Sequence, residues 1–409
     1  MTDDFEPATA AELSRYVEEN ARSDRRSLNS VGGRTALHFG YPLPANTVPV
    51  DLKRLNRVVD YPARDMTITV ESGIRVSELQ RILGEENQRL AVDVAQAHRA
   101  TIGGAIATNT SGPARFANGT FRDYVIGISA VDGAGRLFSA GGRVVKNVAG
   151  YDMCKLLVGS LGTLAIITQV TLKLRPKPAT CRLVWASFRD LPAIDPAVEG
   201  LLRSETRPTA VEVLNSKAAR QVRSEAKHDL PIENPVLCVT CEGSETETRW
   251  QIERLQSELS KHGPLQQAVP DAPATEAIVS ALVEYQAASD DPLTFQAGLP
   301  PSRLTEFMVA ANDAGIAVQA HAANGVVIGH LPDSCTRADE SAVRLAPLRA
   351  LAERHGGALV VWNCDPNWKN ELDLFGAPRG ESELNDGIRK ALDPHQILNT
   401  GLLRQTSAR

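Results

Sequence analysis

The stretch Arg143–Thr168, RVVKNVAGYDMCKLLVGSLGTLAIIT, sets Gly150, Gly159 and Gly162 among apolar residues with few charges. Glycine lets a backbone approach a neighbour closely or turn into left-handed conformations, so the run raises the question of what it must fold against. The common phosphate loops do not answer it. A Rossmann-type site needs G-x-G-x-x-G and a P-loop needs G-x-x-x-x-G-K-[ST], and this stretch has neither. The nearest approach elsewhere, Gly133-Ala134-Gly135-Arg136-Leu137-Phe138, puts phenylalanine where the last glycine must pack.

Two more glycine clusters precede it. Asn29–Leu37, NSVGGRTAL, carries Gly32-Gly33-Arg34-Thr35, and Arg99–Phe116, RATIGGAIATNTSGPARF, carries Gly103-Gly104 and then Ser111-Gly112. Adjacent glycines beside small hydroxyl residues let a backbone donate N–H groups to a diphosphate at close range. The second cluster opens a helix-like segment, whose first N–H groups and dipole favour an anion, and Arg34 offers a charge-assisted contact. Taken singly, each Gly-Gly also reads as an ordinary tight turn.

The surrounding pattern is mixed. Thr67–Glu71 reads as a strand, Ser72-Gly73 as a turn, and Val76, Leu79 and Leu83 as one face of a helix. DYVIGISAVDGAGRLFSA reads as two strands about Asp132–Gly135, and TLAIITQVTLKLRPKP as a long strand closed by Pro176 and Pro178. Beyond that corner come strand-like RLVWASF, AVEVLN and PVLCVTC, with helix-like stretches near 191–204 and 244–262; Ile252, Leu255 and Leu259 share one face of the latter. A second round follows, with LTFQAGL, a helix near 301–314, IAVQAHA, GVVIGHL, a helix near 337–355 and ALVVW. Two rounds of strand, helix, strand, strand, helix, strand imply an antiparallel sheet with helices on one face.

The chain has 409 residues, 43% hydrophobic and 23% charged, with a formal net charge of −5. It is long enough for two or three domains, and no basic run marks a nucleic-acid or anionic-membrane surface. The acidic opening MTDDFEPATAAEL lacks the apolar core of a secretory signal. No run approaches the roughly 18 apolar residues of a membrane span. The expected location is the cytoplasm. Of the six cysteines, only Cys238 and Cys241 form C-x-x-C. On a strand that offset points the thiols to opposite faces, so the expectation is buried side chains and no metal or cluster.

Taken together and in order, the glycine clusters and KNVAGYDMCKLLVGSLGTLAIIT resemble the FAD-binding domain of the vanillyl-alcohol oxidase and para-cresol methylhydroxylase (PCMH) superfamily. More narrowly, they resemble the smaller FAD-binding subunit of bacterial glycolate oxidase. The matching string runs from TIGGAIATNTSGPARF through FRDYVIG, GGRVVKNVAGYD and LLVGSLGTLAIIT to RPKP, and ALDPHQILNTG is similar to the family's closing segment. The implied fold is α+β: a two-lobed PCMH-type FAD-binding domain over 1–178, an antiparallel cap with helices on one face over 179–370, and a segment over 371–409 returning to the FAD domain.

The resemblance also implies roles. Gly32, Gly33, Arg34 and Thr35 would form the pyrophosphate loop, and Thr101, Ile102, Gly103 and Gly104 a second diphosphate contact. Thr108, Asn109, Ser111 and Gly112 would line the ribityl chain and flavin ring. Gly162 and the backbone of Ile166 and Ile167 would lie at the adenine end. Lys146, Asn147, Tyr151 and Asp152 either hold their loop together or touch flavin. Arg34 stands where relatives commonly have a third glycine, and the tail reads Asn399-Thr400-Gly401-Leu402 where they often have Asn-Pro-Gly-Arg. No histidine lies in the first loop, so FAD is expected to be non-covalent.

Catalytic relatives carry His-x-Gly-Asp-Gly-Asn-x-His and a later Glu-His-Gly, which bind a divalent metal. Here the strand looks like HAANGVVIGHL: His321 is kept, Gly325 matches, and the second histidine falls on Ile328. The nearest Glu-His-Gly is Glu353-Arg354-His355-Gly356. His330, nine residues on from His321, is expected on the opposite face of one strand. No metal is expected, and His321 is the one catalytic candidate. The implied role is electron transfer in a 2-hydroxy-acid oxidase complex, with a larger FAD-containing glycolate oxidase subunit and an iron–sulfur subunit as partners. The alternatives are a self-sufficient 2-hydroxy-acid dehydrogenase and a structural interaction subunit.

Overall fold

The computed structural model describes residues 4–142, 151–287, 291–377 and 382–403. The chain divides into two compact units: residues 1–111, 120–177 and 377–409 form the first, and residues 112–119 and 178–376 the second.

The first unit opens with a helix, Ala10–Arg22, capped by Thr9, whose side chain accepts from the Glu12 amide. Its buried Leu13, Val17 and Ala21 pack on a parallel pair of strands, β1 (Leu28–Val31) and β2 (Val48–Asp51). The C-terminal segment closes this layer, with Leu398 bridging to Leu28 and Ile397 in the same apolar cluster. The second lobe is an antiparallel sheet of β3 (Val58–Asp60), β4 (Thr67–Glu71), β6 (Val125–Asp132), β7 (Leu137–Gly141) and β8 (Ala165–Lys173), in the order β3-β4-β8-β6-β7. Outside this sheet, β5 (Gln88–Arg89) pairs with β9 (Arg175–Pro176) beside the proline corner. The helix Val76–Glu85 buries the three residues its periodicity selected, Val76, Leu79 and Leu83. A fully buried leucine contributes about 2–3 kcal/mol relative to an exposed one, so this face docks the helix on the sheet.

The second unit is one eight-stranded sheet. Its strands are β10 (Thr180–Ser187), β11 (Ala210–Leu214), β12 (Val236–Gly243), β13 (Gln266–Ala268), β14 (Leu293–Gly298), β15 (Ala317–His321), β16 (Val326–His330) and β17 (Ala358–Cys364). The order β13-β10-β12-β11-β15-β16-β14-β17 joins two split βαββαβ rounds edge to edge, with β11 antiparallel to β15. Helix Leu304–Asp313 covers one face, where its Phe307 meets Phe295 edge-on. Two helices outside the repeating pattern, Ser216–Ala226 and Ala272–Glu284, cover the other. Their Ala218, Val222 and Ile278 share a cluster with Leu183, Trp185 and Ile328. Trp185 is fully buried and donates its indole N–H to the Pro231 carbonyl at 2.8 Å, so its polar edge is satisfied.

Candidate functional site

In the first unit, three glycine-bearing segments and the C-terminal segment meet around one cleft. Its walls include Gly32, Gly33, Arg34 and Thr35, then Thr101, Gly103, Gly104 and Thr108, then Gly162 and Ile167. The glycines are required by proximity. A β-carbon on Gly32 would lie 2.2 Å from Thr101 Oγ1, and one on Gly33 1.9 Å from the Arg99 carbonyl oxygen. Any side chain there would separate the two loops that make the wall.

Arg34 keeps the backbone geometry of the glycine it replaces, with φ at 58° in the left-handed region. Its guanidinium is engaged elsewhere, bonding Asp4 at 2.8 Å and Asp51 at 3.2 Å. What this loop offers an anion is main chain. No acceptor among the described residues takes the N–H of Gly32, Gly33, Arg34 or Thr35. Four successive amides without a protein acceptor, in a loop that lines the cleft, are donors available to an anion.

The helix Ile102–Thr108 behaves differently from its sequence expectation. Its first two N–H groups bond internally, Ile102 to the Ile74 carbonyl at 2.9 Å and Gly103 to the Ser72 carbonyl at 2.7 Å. The Thr101 hydroxyl accepts from Gly104 at 3.4 Å. This helix start therefore fixes the wall, and the exposed Gly104 keeps it low. At the other end Asn109 turns left-handed at φ 52°, and Asn109 Oδ1 and Ser111 Oγ are buried without a partner. Buried orphans of this kind mark where a ligand's donors belong.

Gly162, at φ 67°, faces Ser30 Oγ and Asn399 Nδ2, each 2.7 Å from where a β-carbon would be. Asn399 donates from Nδ2 to the Leu161 carbonyl at 2.7 Å, and its Oδ1 is buried without a partner. Ile166 and Ile167 point to opposite faces of β8: Ile166 joins the cluster under the N-terminal helix, while Ile167 borders the cleft. Ile102 is a fully buried core residue, and Gly112 belongs to the second unit. Lys146 and Asn147 lie outside the described residues. Tyr151 is exposed, and Asp152 caps a short helix by accepting from the Lys155 amide. Sequence reasoning missed Leu37, Phe39, Asn399 and Leu402 as lining residues. Of these, Asn399 and Leu402 carried a signal, through the closing segment's comparison with the family.

In the second unit, His321 sits at the end of β15, with its Nδ1 2.8 and 2.9 Å from the two Glu212 carboxylate oxygens. The expectation that His330 shares this strand and faces the other way is corrected. Gly325, at φ 66°, turns the chain between β15 and β16, so the spacing of nine crosses a hairpin. His330 pairs with Ala317, whose side chain belongs with Ile328 to the cluster under the Ala272–Glu284 helix, and both histidines lie on that face. His330 is saturated by Thr294 Oγ1, the Tyr285 carbonyl and Asp291. His355 bonds Glu306 at 3.2 Å, away from any cluster with His321. Among the described residues no three His, Cys, Asp or Glu side chains converge as metal ligands. Cys238 joins the core cluster beside Trp185, whereas Cys241, three residues on, lies outside it; burial pushes both thiols up, Cys241 to about 12.

A cleft walled by glycine backbone, with a row of unpaired amides and the unpartnered Asn399 carbonyl oxygen in its lining, suits an elongated, diphosphate-bearing cofactor. Residues 4–141 match the FAD binding domain family, and residues 177–337 match the C-terminal domain family of the FAD linked oxidases. The chain is 28% identical over 380 residues to the glycolate oxidase subunit GlcD of Bacillus subtilis, covering 87% of this chain and 79% of that one. It is 34% identical over 159 residues to the glycolate oxidase subunit GlcE of Escherichia coli, 39% of this chain and 45% of the relative. A solved alkyldihydroxyacetonephosphate synthase shares the fold, with a TM-score of 0.67 over 98% of this chain and 76% of that one at 18% identity. The chain belongs to the PCMH-type FAD-binding superfamily and is an FAD-linked oxidoreductase. Among the described residues no helix is long and apolar enough to cross a membrane.

Proposed function

We propose that this chain binds FAD non-covalently and serves the oxidation of a small 2-hydroxy acid such as glycolate, passing the electrons to an iron–sulfur subunit within a complex that includes a larger FAD-containing subunit. The row of unpaired amides at Gly32–Thr35 is the observation that carries the cofactor reading. These amides would hold the diphosphate, Gly162, Ile167 and Asn399 the adenine end, and Thr108, Asn109 and Ser111 the flavin end. Bound FAD supplies the two-electron acceptor for the carbon–hydrogen bond beside the hydroxyl. The protein's part is to hold the cofactor and exclude water. The likeness to two glycolate oxidase subunits supports the substrate class and the partners, and the reading places the complex in the cytoplasm.

A second reading, in which this chain oxidises the acid by itself, is favoured by one observation: the buried Glu212–His321 pair. A visible spectrum of the purified protein, before and after anaerobic glycolate or D-lactate, tests both. A flavin band that bleaches with acid alone establishes the second reading. A band that bleaches only once the partner subunits are added supports the first. A protein that takes up no flavin from added FAD overturns both.

A further inference from the structure

In sequence Ser72-Gly73 reads as an ordinary turn after β4, but the fold gives Ser72 more to do. Its main chain is fully engaged. The Ser72 amide donates to the Thr168 carbonyl at 2.9 Å, and the Ser72 carbonyl accepts from Gly103 at 2.7 Å. Ile74, in the same turn, takes the Ile102 amide at 2.9 Å. The next two amides of that helix, Gly104 and Ala105, stay with Thr101. The turn and Thr101 therefore use up the donors that a helix start would otherwise offer an anion.

The Ser72 side chain is not engaged. The residue is 1% exposed, its Oγ is buried, and no described residue hydrogen-bonds to that oxygen. Burying a hydroxyl without a partner is unfavourable, so the fold keeps it at a cost. Ser72 lines the same cleft as Gly32, Gly33, Arg34 and Thr35. Two close approaches link it to that loop. A β-carbon on Gly103 would lie 2.6 Å from Ser72 Cβ, and one on Gly32 would lie 2.2 Å from Thr101 Oγ1. Beside a row of amide donors the matching atoms of a ligand are acceptors, so a hydroxyl there serves as a further donor.

We propose that Ser72 is a cofactor-binding residue whose hydroxyl donates to a phosphate oxygen of FAD, adding to the amides of Gly32–Thr35. The turn occupies the amides of the neighbouring helix and supplies an O–H in their place. A hydrogen bond to a charged oxygen is among the stronger kind. This contact rests on the reading of the cleft as the FAD site, and it names a donor there that the glycine clusters do not mark.

The test compares the full-length wild type with Ser72→Ala, starting from FAD-free protein. Alanine removes only the unpartnered oxygen, so the melting temperature without FAD should hold or rise. FAD affinity by fluorescence titration should fall about tenfold, as expected for losing a hydrogen bond to a charged group. ADP, measured by displacement of FAD, should lose the same factor. Adenosine, which has no phosphate, should lose nothing. Ser72→Cys keeps the size and offers a weaker donor, so its FAD affinity should fall between the other two. Unchanged FAD and ADP affinities in Ser72→Ala overturn the contact. A loss that adenosine shares also overturns it, because the hydroxyl then serves the nucleoside or the fold. Wild-type protein that takes up no FAD overturns the proposed function itself, whereas FAD uptake indifferent to the Ser72 hydroxyl overturns this contact alone.

Discussion

A β-carbon on Gly162 would stand 2.7 Å from Nδ2 of Asn399, a residue that reaches the cleft from the far end of the chain. That nitrogen is held on the Leu161 carbonyl, and the Asn399 backbone is itself left-handed at φ 46°. Two uncommon backbone conformations thus meet at one wall of the cleft.

Gly162→Ala combines a left-handed alanine with a clash, and strained positions of this kind cost about 1–3 kcal/mol each. The expected outcome is a loss of that order in a urea melt and at least tenfold weaker FAD binding by fluorescence titration. Asn399→Ala removes one hydrogen bond and leaves the Leu161 carbonyl unpaired, for about 1–3 kcal/mol. An unaltered FAD affinity in both variants would place the cofactor elsewhere.

Arg34 separates two ways of holding a diphosphate. If the free amides do the work, Arg34→Gly should leave FAD affinity within about threefold, because the guanidinium already serves Asp4 and Asp51 and its partly exposed pairs are worth at most about 1 kcal/mol. Relief of the left-handed backbone, about 1–2 kcal/mol, offsets that loss, so Arg34→Gly should be no less stable than the wild type. Arg34→Ala keeps the strain and loses the pairs, so it should be the less stable of the two. A tenfold fall in affinity for Arg34→Gly, with a flattened salt dependence, would mean that the arginine itself contacts phosphate.

The strands and the buried helix faces were legible because burial follows period. Val76, Leu79 and Leu83 declare a face, and two rounds of the same pattern declare the sheet. The glycine clusters were legible as close approaches, though not what each approaches: Gly33 meets the Arg99 carbonyl, which only the folded chain supplies. Unpaired amides leave no trace in side-chain identity. The helix start at Thr101 looked like an anion site because the carbonyls that occupy its donors, on Ser72 and Ile74, come from another segment. The misplaced face of His330 came from counting across Gly325 as if the strand continued. Glu212 was invisible because its partner lies 109 positions away.

The cysteines give a chemical check on the second unit and on the absence of a cluster motif. None of the six is in a disulfide, and burial raises Cys154 and Cys364 to about 11 and Cys241 to about 12, with Cys238 higher still. Thiolate is the reactive form, so at neutral pH these four should be inert. Ellman's reagent on the native protein should titrate Cys181, the only one of the six that is not buried, and reach the rest only on unfolding. A chelator should leave the melting temperature unchanged. Fast reaction at Cys238 and Cys241 together, or a fall in stability with chelator, would revive a metal role for that pair.

The last prediction concerns the hairpin that carries His321. Gly329 pairs with Phe295 across β14 and β16, and a β-carbon on it would lie 2.3 Å from the Phe295 ring. That ring is fully buried and packs edge-on against Phe307 at 6.3 Å between centroids, so it has nowhere to move. Overpacking of this kind costs about 1–3 kcal/mol. Gly329→Ala should therefore destabilise the protein by that amount in a denaturant melt. Phe295→Leu should recover part of the loss in the double variant, because the smaller side chain vacates the space the methyl needs. The single-variant loss should exceed what remains in the Phe295→Leu background, which is the coupling expected of residues in contact. Additive effects of the two substitutions would mean that Phe295 is not what excludes a side chain at Gly329.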